Sequence, residues 1–361
     1  MDLNIGVDLH KTQFTVYFKS IDRFREYATT ETGYRSFIAD IARIKDVDGR
    51  VRIGIESTGN TRFFKNYMER HSIEVTVINT MKFKVINESV KKTDKHDACT
   101  IADFLEKDML PESRICSEYS EEIRRLLKVR TTLVRASVTV KNQIHGLLVG
   151  QGIEDKKATL QSKRGRQKVL STLAKMANGL AVQPLFDILD NLAEQVKKIE
   201  KELEKITAGD EAIELLLTIP GCGPITAWTI RAYTDDIKDF KESKKYSSYA
   251  GLTPWVQCSN TTERYGKITK RGPEELRTAL VQLVMGMNRT KSIADYRIML
   301  QYKNMKKYKG SGKSIIATAR KLSKIIWHML TYSKPFNPCL MYDNDLNKIA
   351  NDMRILSIKS A

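Results

Sequence analysis

With 361 residues the chain is too long for one hydrophobic core, and two or three domains are expected. Its composition, 41% hydrophobic and 29% charged with apolar runs short and broken by Lys, Arg or Gly, excludes a spanning segment or signal peptide; the expectation is a cytoplasmic, nucleoid-associated protein of a bacterium or archaeon. A formal net charge of +18 implies a polyanionic partner, and without a basic amphipathic anchor nucleic acid ranks ahead of a membrane surface.

Three β-like runs open the chain, at 3–8, 13–19 and 23–29, the second with Phe14, Val16 and Phe18 alternating. A helix from Tyr34 to Ile44 follows, then a strand ending at Glu56, a helix near Phe63–Arg70, a strand Val75–Ile78 and a helix carrying Asp97. Strands followed by alternating helix and strand predict an α/β layered domain. From Glu118 to about Ile206 the pattern is helical. Leu185, Leu189, Leu192, Val196, Ile199, Leu203 and Ile206 form a heptad stripe that fits a helical hairpin or a coiled coil. Between these helices, 154–168 is polar and basic and is expected to be a flexible connection. Ile219-Pro220-Gly221-Cys222-Gly223-Pro224 is a turn leading into a helix, of the helix-hairpin-helix kind, whose backbone N–H groups could hold a phosphate. After Tyr249–Pro254 come a loop with Ser259, basic helices to about Tyr332, and a tail after Pro338 expected to be poorly ordered. From Ser259 to Lys334 there are 17 Lys and Arg against 4 Asp and Glu, so most of the excess charge lies in this last third.

Four acids stand out against that basic background. Asp8 and Glu56 each close an apolar run, Leu3–Asp8 and Val51–Glu56. Asp94 and Asp97 follow at a spacing of three, which puts both on one helix face. Each acid alone is an ordinary strand-end or helix-cap residue, and Asp94 could cap the helix that follows. Together they suit metal-assisted phosphodiester chemistry, in which carboxylates from different elements converge on cations. The five cysteines, Cys99, Cys116, Cys222, Cys258 and Cys339, never form a Cys-x-x-Cys pair, and the five histidines form no paired motif. Zinc and a disulfide framework are therefore not expected, and a bound metal should sit on oxygen ligands, as Mg2+ or Mn2+.

The motifs Gly6-Val7-Asp8-Leu9-His10-Lys11, Gly54-Ile55-Glu56-Ser57-Thr58-Gly59, Lys92-Thr93-Asp94-Lys95-His96-Asp97-Ala98, Ile219–Ala227, Ala250-Gly251-Leu252-Thr253-Pro254 and Gly266–Gly272 with Leu276-Arg277 fall in order over residues 1–280. This ordered set resembles the DEDD-type insertion-sequence transposases that also include the Piv DNA invertase, and the N-terminal third resembles the RuvC-like branch of the RNase H fold. The resemblance implies a RuvC-like DEDD domain over 1–110, a helical, coiled-coil linker and dimerisation region over 111–210, a mostly α-helical transposase domain over 211–335, and a tail over 336–361. It implies catalytic and metal-binding roles for Asp8, Glu56, Asp94 and Asp97, and a nucleophilic serine at Ser259. Asn260 stands where the family usually has Gly, though Asn tolerates the same left-handed turn.

No histidine lies near Ser259 in sequence, so the resemblance implies that the acidic cluster of the other domain activates it when domains or protomers meet. Arg264, Lys267, Lys270, Arg271 and Arg277 are placed to bind phosphates. The implied partners are double-stranded DNA at element ends and target, a guide (bridge) RNA encoded by the element, and further copies of the chain as a dimer or tetramer. The competing expectations are a Piv-like invertase acting on a fixed site pair, a RuvC-like nuclease or Holliday-junction resolvase that uses water, and a non-catalytic nucleic-acid-binding protein.

Overall fold

The computed structural model describes residues 2–44, 49–80, 82–83, 93–153, 160, 162–173, 182–259 and 262–341. Asn260, Lys92 and the tail beyond 341 lie outside them, as do 154–159 of the expected flexible connection. The chain divides into two compact units, Met1–Cys116 and Ser117–Ala361. No helix among the described residues is long and apolar enough to cross a membrane.

In the first unit, alternation along β1 (Leu3–Leu9) sorts the side chains onto two faces. Leu3, Ile5, Val7 and Leu9 enter the main core, and Asn4, Gly6 and Asp8 point the other way. β4 (Val51–Glu56) repeats the pattern, with Val51, Ile53 and Ile55 in the core and Arg52, Gly54 and Glu56 opposite. With β2 (Gln13–Phe18), β3 (Arg23–Ala28) and β5 (Glu74–Ile78) these strands form one sheet of order β3-β2-β1-β4-β5. β1 pairs antiparallel with β2 and parallel with β4, and β4 is parallel to β5. This is a mixed central sheet compatible with the RNase H-like arrangement.

The core face packs on α1 (Glu31–Ile44) and α2 (Thr61–Glu69) through an aromatic cluster. Phe14 lies at its centre, stacked 5.3 Å from Tyr27 and edge-on to Phe37 and Phe64. The opposite face receives α3 (Asp94–Glu106), which runs against β1, β2 and β4. Its approach is very close because the register sets Gly6 beside Gly54. A Cβ on Gly6 would come within 1.9 Å of the Ala98 carbonyl oxygen, and one on Gly54 within 2.6 Å of Ile101 Cγ2.

The second unit is mostly helical. α4 (Glu118–Gly150) pairs with α6 (Gln183–Ile206), while α5 (Lys163–Leu173) occupies part of the stretch expected to be a flexible connection. Ile123 and Leu127 share a core with Leu203, and Ile144 and Leu148 share one with Phe186 and Leu189, so the pair is antiparallel. Leu189 and Leu203 of the heptad stripe are buried within this intrachain hairpin, and Arg130 Nε donates to Glu200 at 2.8 Å across it.

α7 (Glu211–Leu217) begins at Asp210, whose carboxylate accepts from the Ala212 and Ile213 amides, from Tyr119 Oη and from Arg231 Nε. The turn after α7 contains Gly221 at φ +84°, pressed backbone to backbone on Gly286. α8 (Pro224–Thr234) and α9 (Ser243–Tyr249) lead to a hairpin of β6 (Pro254–Ser259) and β7 (Thr262–Ile268). α10 (Glu274–Arg289) and α11 (Arg297–Thr331) complete the unit, and α11 is interrupted at Gly310, where φ is +76°. Trp228, Tyr246, Leu283, Leu322 and Ile326 are among its core residues.

Candidate active site

Asp8 and Glu56 lie on the α3-facing side of the sheet because each falls on the non-core phase of its strand. The β1–β4 register pairs Val7 with Ile55, so the two acids stand one step beyond that pair at the carboxyl ends of adjacent parallel strands. The first turn of α3 delivers the other two acids to this face. Thr93 is its N-cap, accepting from the His96 amide at 3.2 Å, so the expected capping role of Asp94 passes to its neighbour. Asp94 is thereby left exposed in the first turn, and Asp97 follows half-buried one turn on.

Asp8, His10 and Asp94 offer three donor atoms that all lie within 4.8 Å of one another. His10 Nε2 is 3.1 Å from Asp8 Oδ2 and 3.3 Å from Asp94 Oδ2. The Asn60 side-chain amide donates to the His10 carbonyl at 3.0 Å, which ties the end of β1 to the start of α2. Burial pushes the Asp8 carboxyl above its usual range; His10 opposes that rise, and the charges of Asp94 and Asp97 add to it. A desolvated carboxylate repelled by two others is what a divalent cation stabilises, so the donor set fits one. Glu56 and Asp97 stand outside the three-donor group, Glu56 on the same sheet face and Asp97 near enough to act on Asp8.

His10 is the residue that sequence reasoning missed. The signal was present: at two positions beyond Asp8 on an extended segment, its side chain returns to the same face. An imidazole beside two carboxylates offers a nitrogen donor next to the oxygens that were expected.

In the second unit Ser259 is the last residue of β6, opposite Thr262 of β7. The loop expected there is thus a two-stranded hairpin. The strand signal was weak because both faces of the ribbon meet solvent: Trp255 and Val256 are 50% and 45% exposed. Gly266 lets the Trp255 indole cross β7, since a Cβ there would meet Trp255 Cε3 at 2.8 Å. Arg264 and Lys267 are exposed on β7, and Lys270 and Arg271 are exposed in the turn after it. Arg277 is turned inward instead. Its Nη1 lies 3.3 Å from the Lys270 carbonyl and 3.5 Å from that of Ala250, bracing the turn.

Both parts of the chain match known transposases. The DEDD transposase family of the IS110 type matches residues 5–152, and the family described as Transposase IS116/IS110/IS902 matches residues 213–298. The chain belongs to the DEDD-type transposases of the IS110 family. A probable family 20 transposase of Pseudomonas aeruginosa is 24% identical over 352 residues, covering 92% of this chain and 98% of that protein. The transposase for insertion sequence element IS1111A of Coxiella burnetii is 26% identical, covering 92% and 90% respectively. The transposase for insertion sequence element IS1328 of Yersinia enterocolitica is 25% identical, covering 92% and 98%. This transposase therefore acts on DNA and catalyses transposition, a phosphodiester transesterification. Its Asp8–His10–Asp94 group lies within the first matched segment, and Ser259 lies within the second.

Proposed function

We propose that the transposase mobilises an insertion sequence by exchanging DNA strands through Ser259, with Asp8, Glu56, Asp94 and Asp97 as the acids of a divalent-metal centre. The observation that carries this reading is the meeting of Asp8 and Asp94, from elements more than 80 residues apart, in a chain of net charge +18. Asp8, Asp94 and His10 would hold the cation, Mg2+ or Mn2+, with Glu56 and Asp97 completing the negative field. When bound, it supplies Lewis-acid polarisation of the phosphodiester and a counter-charge for the transition state.

The chain's own residues do the rest. Ser259 Oγ attacks the backbone phosphorus; the Oγ–P bond forms as one phosphorus–oxygen bond of the DNA strand breaks, and the serine proton passes to the departing oxygen, which leaves as a hydroxyl. A strand hydroxyl of the new partner then attacks the phosphoserine, and the Oγ–P bond breaks as the hydroxyl proton returns to Oγ. Arg264, Lys267, Lys270 and Arg271 hold phosphates, and Arg277 keeps their turn in place. The α4–α6 hairpin serves as the self-association region of a dimer or tetramer, and an element-encoded bridge RNA selects donor and target.

Incubation of the protein with its element ends and Mg2+, followed by denaturing electrophoresis, tests the mechanism. The wild type should give a denaturant-resistant protein–DNA adduct, and Ser259→Ala and Asp8→Ala should each abolish strand exchange while still binding DNA. Full exchange by Ser259→Ala, or clean nicks with no adduct, would sink the serine mechanism.

A further inference from the structure

A groove of about 500 Å3 lies wholly within the second unit, between α4, α8 and α10. Its size suits one small organic group rather than a helix or a duplex. Leu127, Ile225 and Ala279 make the floor apolar. The two walls carry opposite charge: Lys128 and Arg135 on α4, against Glu274 and Glu275 on α10, with the neutral Gln282 amide beside them. Lys128 and Arg135 form no ion pair among the described residues, whereas neighbouring Arg130 is held by Glu200.

Tyr233 of α8 also lines the groove. It is 6% exposed, Arg124 lies over its ring at 4.6 Å, and the Glu275 carboxylate acts on its buried hydroxyl. Burial, and then the nearby Glu275 carboxylate, push the phenol's pKa well up, so the group is a proton-bearing hydroxyl at any working pH.

We propose that this groove binds a single nucleotide, its phosphate on Lys128 and Arg135 and its base edge on Glu275 and Gln282. A nucleotide has the matching polarity, an anion at one end and amino donors at the other. Adenine, cytosine and guanine each present an exocyclic amino group that carboxylate and amide oxygens can accept. Thymine has no exocyclic amino group, and its single N3–H is flanked by two carbonyl oxygens that the carboxylates repel, so it fits the acidic wall less well. The site goes beyond strand exchange at the acidic centre. The nucleotide can come from a DNA strand, from an RNA strand or from the free pool, and extrusion from a strand is the usual route into a pocket of this kind.

Titration of the full-length protein with dAMP, dCMP, dGMP and TMP in EDTA tests the site without involving the metal centre. One saturable site is expected for at least one amino-bearing nucleotide, with TMP weaker by about tenfold or more. Lys128→Met together with Arg135→Met should weaken binding about tenfold or more, the range of charge-assisted hydrogen bonds to a phosphate. Thr278→Trp, placed in the groove wall, should abolish binding at an unchanged melting temperature, and Gln282→Leu provides a second wall variant should Thr278→Trp unfold. Competition by a short DNA or RNA strand of the preferred base, or by neither, assigns the source, and each result keeps the nucleotide assignment. Absence of saturable binding, equal binding of TMP, or binding indifferent to loss of Lys128 and Arg135 and to the wall variants overturns it.

Discussion

Gly6 of β1 lies directly beneath Ala98 of α3, so close that a methyl group on Gly6 would sit 1.9 Å from the Ala98 carbonyl oxygen. This contact between helix and sheet brings Asp94 and Asp97 down to Asp8. Gly6→Ala must lift or slide α3, because the clash is with backbone rather than with a side chain that could rotate. Overpacking of this kind costs about 1–3 kcal/mol. Thermal denaturation should register that loss together with loss of any cation-induced stabilisation. A Gly6→Ala protein with wild-type melting and wild-type cation response would contradict the packing account.

Cation binding should be measurable apart from catalysis. A ligand that binds only the folded state adds about 2.7 kcal/mol at a hundred times its dissociation constant. Mn2+ or Mg2+ should therefore raise the melting temperature of the wild type. Asp8→Asn and Asp94→Asn should abolish the rise, and His10→Ala should reduce it more for Mn2+ than for Mg2+. Equal responses in wild type and Asp8→Asn would dismiss the three-donor group as a metal centre.

Acid stability of the first unit should depend on Asp40. Burial alone would raise its carboxyl, but the Arg25 guanidinium and the Tyr27 hydroxyl outweigh that and hold it below the usual range, with Arg43 adding to the effect. A depressed folded-state pKa contributes stability above the unfolded value of about 4, and that stability is lost as the pH falls through the folded value. Asp40→Asn should cost on the order of 1 kcal/mol at neutral pH, the exposed Arg25 limiting the figure, and should flatten the acid limb of the stability profile. An unchanged acid limb would show that Asp40 does not set it.

Arg264 and Arg277 should fail differently. Arg264 is exposed on β7, so Arg264→Ala should leave the melting temperature unchanged and reduce the salt dependence of DNA binding by about one counterion. Arg277 donates to two backbone carbonyls, so Arg277→Ala should lower the melting temperature and disturb the Lys270–Arg271 turn indirectly. Identical stability and salt slopes for the two variants would refute this division of roles.

Much of the first unit is legible along the chain. Leu3, Ile5, Val7 and Leu9 alternate with Asn4, Gly6 and Asp8, so strand, core face and acid face are all encoded in consecutive residues. Glu56 follows by the same two-residue period, and the Asp94–Asp97 pair by the helical one. The β6–β7 hairpin was less legible because neither face of it is buried; without burial there is no alternation to read.

The amino-acid order alone thus determined the strands of the first unit, the charge and the residue types available for chemistry, since periodicity and composition are local properties. Only the tertiary structure decided which of those residues meet. The β1–β4 register sets Gly6 beside Gly54, the missing side chains admit α3, and His10 joins Asp8 and Asp94. The groove beside Tyr233 is likewise assembled from three helices spread over more than 150 residues. Such meetings depend on register and close packing between distant segments, which no local period records.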